Sequence, residues 1–361
     1  SLPPEGADGA KHLEQPPPMV RMDSTAGFGC GLALLTGLAL VVMSVRSCGE
    51  SGVPEFFGSI LLVVAGGLVV AMSNDLVLLF LGLELISVPT YVLLYLPRRD
   101  AVAQESVAKD FFLSVFSSAL FLYGLSFIYG AVGSTNFWAV QGVFSTGPAR
   151  TLTEGSVPLA LVLVVGGLSF KIAAVPFHFY APDVYEGTTP ALAGLLAWAP
   201  KAAGVIAILR IVTGAANYEG SPSPWLIWVI AVATMFTGNV LALLQENLRR
   251  LFAYSSIAHS GYMLIGVGAG CVGGSGGRVL DRGYLTDSGS ESVLFYLLGY
   301  AVMTLGVFAV LTYLSGQGRS ARSVNDLAGL GSRQPAVVLA MTLFLFSLTG
   351  IPVTAGFWGK L

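Results

Sequence analysis

The 361 residues carry 18 Lys and Arg against 20 Asp and Glu, a formal net charge of −2, and are 54% hydrophobic but only 11% charged, with a mean hydropathy of +0.76. Soluble domains are about 25% charged, so this composition excludes a water-soluble surface and points to an all-α bundle of membrane helices. No basic or acidic run exceeds a few residues, so no nucleic acid partner is expected, and the polar partner should be an ion.

Residues 1–26 read as a disordered, proline-rich leader (Gln15-Pro16-Pro17-Pro18) without the charged segment, apolar core and cleavage site of a signal peptide. Cys30, Cys48 and Cys271 lie far apart and outside any CxxC or Cys/His spacing, so they are expected as packing or free thiols and not as metal ligands. Ten windows follow that are apolar and long enough to cross hydrocarbon: Gly27–Val45, Phe56–Ser73, Asp75–Leu96, Asp110–Ala131, Pro158–Val175, Ala191–Val212, Pro224–Leu244, Leu248–Gly270, Val293–Leu314 and Ala336–Leu361. The last has no helix-stop signal, and the chain reads as a piece of a longer one.

Lysines and arginines between the windows set an orientation, because the cytoplasmic side collects them. With Lys171, Lys201 and Lys360 set aside as intramembrane, 15 remain. Nine fall on one side (Arg46, Arg98, Arg99, Lys109, Arg249, Arg250, Arg319, Arg322, Arg333) and six on the other (Lys11, Arg21, Arg150, Arg210, Arg278, Arg282), which puts the loop between the third and fourth windows inside.

Two windows are interrupted. Pro176 and Pro182 break the helix after Lys171, and the Gly350-Ile351-Pro352 step breaks the last one before Lys360. Opened backbone at membrane depth survives only against protein or a wet cavity, so paired breaks point to an ion site.

Charged residues inside the windows carry the chemistry. Glu84 lies nine residues into its window, about 13 Å deep at 1.5 Å per residue. An unpaired carboxylate there must take a proton or face a cation within the bundle; the bland alternative is a glutamate that pins helices together. Lys171 stands beside the first break and Lys201 in mid-window after Trp198-Ala199-Pro200. A lysine removed from water loses proton affinity and a nearby carboxylate restores it, so moving the carboxylate switches the lysine between holding and releasing a proton. Snorkelling to the interface is the plainer reading of Lys171.

Lys360 is the matching group at the second break. His178 and His259 are of the residue type suited to a proton relay, against the ordinary reading of a packing histidine. Asp75, Asp110, Asp183 and Glu186 fall at helix starts or in loops, where capping explains them. The glycine run from Gly266 to Gly277 reads as a loop leaving a helix and has no strand–turn–helix setting for a phosphate cradle, so no nucleotide role is expected.

Several segments together resemble the antiporter-like membrane subunits of proton-pumping NADH-quinone oxidoreductase (respiratory complex I), most specifically the subunit N group. They are Leu81-Gly82-Leu83-Glu84-Leu85, Phe170-Lys171-Ile172-Ala173-Ala174-Val175-Pro176-Phe177-His178 through Ala181-Pro182-Asp183-Val184-Tyr185-Glu186-Gly187, Ala199-Pro200-Lys201, Asn247-Leu248-Arg249-Arg250 through Tyr262, and Gly350-Ile351-Pro352 through Lys360. The resemblance covers residues 27–361 and implies a fourteen-helix fold built from two inverted five-helix repeats, each with a broken helix. Residues 27–50 would then be a peripheral helix, 56–215 the first repeat and 223–361 the second, truncated, with two helices missing at either end.

By position, the resemblance implies that Glu84 is the gating carboxylate, Lys171 its partner, Lys201 the bridge to the centre and Lys360 the exit-side lysine. His259 would join the relay, while Lys109 and His178 would serve proton uptake. It also implies that NADH, FMN, iron–sulfur clusters and quinone belong to partner subunits. This chain would then bind no cofactor or metal and contribute a non-redox proton translocator to a bacterial inner-membrane enzyme. The lipid bilayer, protons and the other membrane subunits would be its partners. Two rival classes are a stand-alone or multisubunit cation/proton antiporter, which would depend on sodium in the absence of a quinone reductase, and a structural scaffold, in which Glu84→Gln would alter assembly but not pumping.

Overall fold

The computed structural model describes residues 18–45, 53–97, 100–146, 156–215, 223–273, 288–316 and 322–360. Residues 1–17 of the expected leader, Cys48, Lys11, Arg46, Arg98, Arg99, Arg150, Arg278, Arg282, Arg319, residues 274–277 of the glycine run and Leu361 lie outside them. Among the described residues the structure is helical, with only isolated bridges such as Val20 to Ser73 and Asn247 to Ser323.

Four helices lead the chain: α1 (Ser24–Ser44), α2 (Val53–Met72), α3 (Leu76–Tyr95) and α4 (Ala101–Val132), followed by the short α5 (Phe137–Thr146). Asp23 caps α1 through the Ala26 amide, and Asp75 caps α3 through the amides of Val77 and Leu78, as a short acceptor at a helix start should. Residues 18–23, expected within the leader, are held instead: the Arg21 amide donates to the Met72 carbonyl, and the Asn74 amide to that of Met19.

After α5, the first interrupted pair is α6 (Ser156–Lys171) and α7 (Ala181–Gly187); α8 (Pro190–Ala215), α9 (Ser223–Leu243), α10 (Leu248–Gly273) and α11 (Ser288–Gly316) come next. A 3-10 turn (Val324–Leu327) and the one-turn α12 (Leu330–Arg333) lead to the second interrupted pair, α13 (Pro335–Thr349) and α14 (Ala355–Trp358).

Seven of these helices are long and apolar enough to cross a membrane, against ten expected windows. The difference has two physical sources. Helices α6 and α13 stop at their breaks and stay short, although apolar. Helix α10 has the length, but Arg249, Arg250, Ser255, Ser256, His259 and Ser260 lower its hydropathy, and of these Arg249, Ser256, His259 and Ser260 are buried among neighbouring helices. The glycine run was expected to form a loop; in fact Gly266 through Gly273 continue α10, where Gly266 and Gly270 let α11 approach through Gly289.

Helix α4 begins at Ala101 and not at Asp110. Its 32 residues span about 48 Å, more than the roughly 30 Å of hydrocarbon, so one end projects. Glu105 and Lys109 make the projecting turns too polar for an apolar window, while their 2.7 Å ion pair one turn apart supports the helix. The Asp110 reading as a helix cap is therefore corrected: Asp110 sits inside a helix and is 6% exposed.

Helix α8 is the axis of the bundle, with 89% of its span buried, whereas 22% of the α9 span is. It touches α1, α2, α3, α6, α10 and α11, and Trp198 at its middle donates to the Thr36 hydroxyl of α1 at 2.5 Å. Close approach of α4 to α6 depends on small residues: a Cβ on Gly167 would lie 2.9 Å from the Ser117 carbonyl, and one on Gly124 the same distance from that of Ala160. Ser117 Oγ closes the seam by donating to the Gly167 carbonyl at 2.6 Å. That seam brings the end of α6, and with it Lys171, against α4.

Hydrogen bonds and ion pairs gather Lys109, Arg249, Arg250 and Arg322 at one end of the bundle, and Arg21 and Arg210 at the other. These groups match the two sides expected from the sequence.

Candidate functional site

The site begins where α6 ends. Lys171, 7% exposed, donates to Glu84 Oε1 of α3 at 3.2 Å, to Ser87 Oγ at 2.6 Å and to Ser114 Oγ of α4 at 3.1 Å. Ser118 donates to the same Glu84 oxygen at 2.6 Å. All three ammonium protons thus have acceptors, which a desolvated lysine requires.

Beyond Lys171 the chain is open for nine residues before α7. The carbonyls at its mouth find donors: the Tyr180 hydroxyl and the Ala173 amide donate to Phe170 O at 2.9 and 2.8 Å, and the Ser260 hydroxyl of α10 donates to Ile172 O at 2.6 Å. Ala173 turns through the left-handed region at φ 54°, a conformation costly for a residue with a Cβ.

A cavity of about 30 Å³ lies between the two lysines. Lys171, Lys201, Asp110, Ser114 and Tyr91 line it, along with Leu196 and Pro200 of α8. Pro200 supplies no amide to the Leu196 carbonyl one turn back, which leaves an acceptor at the cavity wall. The volume holds about two waters, and the lining offers them polar partners.

From Lys201, 2% exposed, the line continues into the second half of the chain. Its ammonium donates to Ser256 Oγ of α10 at 2.5 Å, and Ser256 shares a 2.7 Å hydrogen bond with the Tyr300 hydroxyl of α11. The Tyr300 ring lies 5.1 Å from that of His259, whose Nδ1 meets the Tyr296 hydroxyl at 2.5 Å. A void of about 10 Å³, roughly the space of one water, touches Ser256, His259 and Tyr300. His259 packs edge-on to Tyr262 at 5.6 Å, and Lys360 Nζ lies 5.0 Å above that ring. Lys360 itself donates to the carbonyls of Leu348 at 2.8 Å and Thr349 at 3.2 Å, freed where α13 ends.

Two expected site residues stand apart from this line. Lys109 points along the end of α4 to Asp183, at 2.6 Å, and Glu105. Asp183 and Glu186 were expected as caps; their carboxylates instead pair with Arg250 at 2.7 and 3.0 Å and so tie α4, α7 and α10 together. His178 sits in the first break outside the cavity lining, with Nδ1 buried and without a hydrogen-bond partner.

Sequence reading took Asp110 for a cap and overlooked Ser114 and Ser118, although their spacing of four puts all three on one face of α4. It also overlooked Ser87, Ser256, Tyr296 and Tyr300, since hydroxyls within apolar helices are ordinary until a lysine is seen against them. Among the described residues no cluster of three His, Cys, Asp or Glu side chains could hold a metal.

Fold and site together define a multi-pass membrane protein with a line of ionisable and hydroxyl side chains, buried from Lys171 to His259, running across its bundle. The sequence family described as NADH:quinone oxidoreductase/Mrp antiporter, TM, matches residues 73–361. The NADH-quinone oxidoreductase subunit N 1 of Solibacter usitatus (strain Ellin6076) is 37% identical over 346 residues, 95% of this chain and 67% of that one. A chain in the structure of respiratory complex I from Thermus thermophilus with bound aureothin is similar at a TM-score of 0.75 and 32% identity, over 94% of this chain and 68% of that one. A chain of the Mrp complex from Dietzia sp. DQ12-45-1b shares the fold, at a TM-score of 0.76 and 23% identity, over 92% of this chain and 59% of that one. The chain belongs to the NADH:quinone oxidoreductase/Mrp antiporter family of membrane subunits, and it spans about two thirds of the length of the curated relatives it matches.

Proposed function

We propose that the protein is a proton-translocating membrane subunit of NADH-quinone oxidoreductase in a bacterial inner membrane, where it carries protons along the line from Glu84 to Lys360 and takes no part in redox chemistry. NADH, FMN, the iron–sulfur clusters and quinone then belong to partner subunits, and electron transfer there drives the charge changes here. The observation that carries this reading is the Glu84–Lys171 contact at 3.2 Å beside a largely apolar cavity, with polar side chains in its wall, that reaches Lys201.

Glu84 paired with Lys171 favours the ammonium; drawing the two apart removes that support in low-dielectric surroundings, and the lysine gives up its proton. Water in the cavity passes it on, and Ser256, Tyr300 and His259 continue the path to Lys360. The end rich in Arg249, Arg250 and Arg322 is the cytoplasmic one in this reading.

The two-unit organisation, 56–215 and 223–361, is part of the proposal. It is supported by a recurring order: α2 packs on α3 as α9 does on α10, and α4 packs on the broken α6–α7 as α11 does on the broken α13–α14. The test is Lys201→Ala in the assembled complex, read as protons moved per electron in sealed vesicles. A lowered ratio with quinone reduction retained is expected; an unchanged ratio takes Lys201 out of the path.

A further inference from the structure

The line above leaves one buried acid unused. Asp110 stands ten residues into α4, is 6% exposed and, among the described residues, makes no hydrogen bond or ion pair with protein. A buried carboxylate that fastens helices does so through hydrogen bonds, and without them it costs the fold stability. Its presence here needs another reason.

Geometry supplies one. On the same face of α4, Ser118 holds Glu84, Ser114 holds the Lys171 ammonium, and Asp110 follows one turn further on. Lys171 therefore lies between two acids along that stripe, with Glu84 in contact and Asp110 beyond Ser114. Asp110 also lines the cavity that touches both Lys171 and Lys201. The other ionisable groups facing it are Tyr91 from α3, Tyr180 from the break and Tyr185 from α7.

We propose that Asp110 is the second counter-ion and the proton acceptor of Lys171, and that it carries the proton on towards Lys201. This rests on the proton-relay reading above. On leaving Glu84, the Lys171 ammonium turns past Ser114 towards Asp110. An N–H bond of Lys171 breaks, the proton crosses cavity water, and an O–H bond forms on the Asp110 carboxylate, leaving a neutral amine and a neutral acid. In the second transfer that O–H bond breaks and an N–H bond forms on the neutral amine of Lys201, which restores the carboxylate. Each water gives up one proton for the one it takes, so no further reactant is needed.

The experiment uses the full-length subunit in the assembled, membrane-embedded complex, with protons moved per electron measured for Asp110→Asn, Asp110→Glu and Lys201→Ala beside the unaltered protein. Asp110→Asn is expected to lower the ratio as far as Lys201→Ala does, and Asp110→Glu to restore most of it. Infrared difference spectra on quinone turnover should contain the C=O stretch of a protonated acid that shifts in Asp110→Glu and vanishes in Asp110→Asn, which a merely structural residue would not produce. An unchanged ratio in Asp110→Asn with a lowered one in Lys201→Ala overturns the assignment and leaves the relay standing. Unchanged ratios in both overturn the relay and this assignment with it. Should Asp110→Asn not assemble, Asp110→Glu decides alone, since a band that does not move excludes Asp110 as the acid.

Discussion

At the first helix break, other donors take the carbonyls: Tyr180 and the Ala173 amide donate to Phe170 O and Ser260 to Ile172 O, so Lys171 is left to face Glu84 and two serines. At the second, Lys360 itself takes the carbonyls of Leu348 and Thr349 at the negative end of α13. One lysine has an ionisable partner that can change its charge, and the other has fixed dipoles that cannot. The same backbone interruption therefore leaves a lysine beside an ionisable counter-ion in one half of the chain and a lysine held by backbone dipoles in the other. Both breaks also hold a non-glycine residue in the left-handed region, Ala173 at φ 54° and Val353 at φ 82°.

The largest effect should come from removing the first of these lysines. Lys171→Met leaves Glu84, whose side chain is 26% exposed, without its cation, at a cost below the ~3–5 kcal/mol of unpairing a fully buried ion pair. A Glu84 that escapes by taking a proton can no longer exchange it with Lys171. Proton yield in the assembled complex should fall further than in Lys360→Met, which removes the last lysine of the line but leaves the Glu84–Lys171 pair intact. Equal losses in the two variants would erase the distinction.

Ser260→Ala attacks the comparison from the backbone side. It strips the hydroxyl from the buried Ile172 carbonyl, a loss of about 1–3 kcal/mol, and should lower the temperature at which the subunit unfolds within the complex. Tyr180→Phe keeps the stacking on Phe170 and leaves the Phe170 carbonyl to the Ala173 amide alone, so a smaller cost is expected. If neither variant destabilises, the hydroxyls are not what frees Lys171.

Val353→Gly should stabilise. A left-handed β-branched residue stores about 1–3 kcal/mol, of which glycine returns all but its own entropy cost of roughly 0.5–1 kcal/mol. Val353 is 94% exposed, so little packing is lost, and a higher unfolding temperature is the check. A lower one would mean that the side chain, and not the backbone, holds the second break.

The smallest effect is expected at Asp326, on the surface turn before α12. Amides of Ser323 and Arg322 donate to its carboxylate and hold it below the usual carboxylate range. With the folded value depressed, its contribution is present above the unfolded value of about 3.9 and is lost as pH falls through the lower folded one. Protection of the Arg322 and Ser323 amides against exchange, taken relative to their intrinsic rates, should therefore be present at neutral pH and lost in acid, and Asp326→Asn should reduce it at neutral pH. Equal exchange in the two proteins would remove the turn from the comparison altogether.

Much of this could be read along the chain because membrane burial leaves a strong local signal. Glu84, Lys171 and Lys201 stand out in apolar windows, and the prolines beside them mark the first break. Asp110 was hidden for a local reason too: Glu105 and Lys109 masked the first turns of α4, so an intrahelical acid looked like a cap. Partnerships were not legible. Glu84 and Lys171 are 87 residues apart, and Ser256 reaches Lys201 across 55.

Hydropathy and proline placement alone determined that this chain is a membrane bundle with interrupted helices and intramembrane charges, since each of those is a property of a short stretch of residues. Which side chains meet was decided by the tertiary structure: Lys171 finding Glu84, Lys360 finding carbonyls, Lys109 and His178 standing aside. The physical reason is that hydrogen bonds and ion pairs act over a few ångströms, and only the packing of α4, α6, α8 and α10 around their glycines and serines sets those distances.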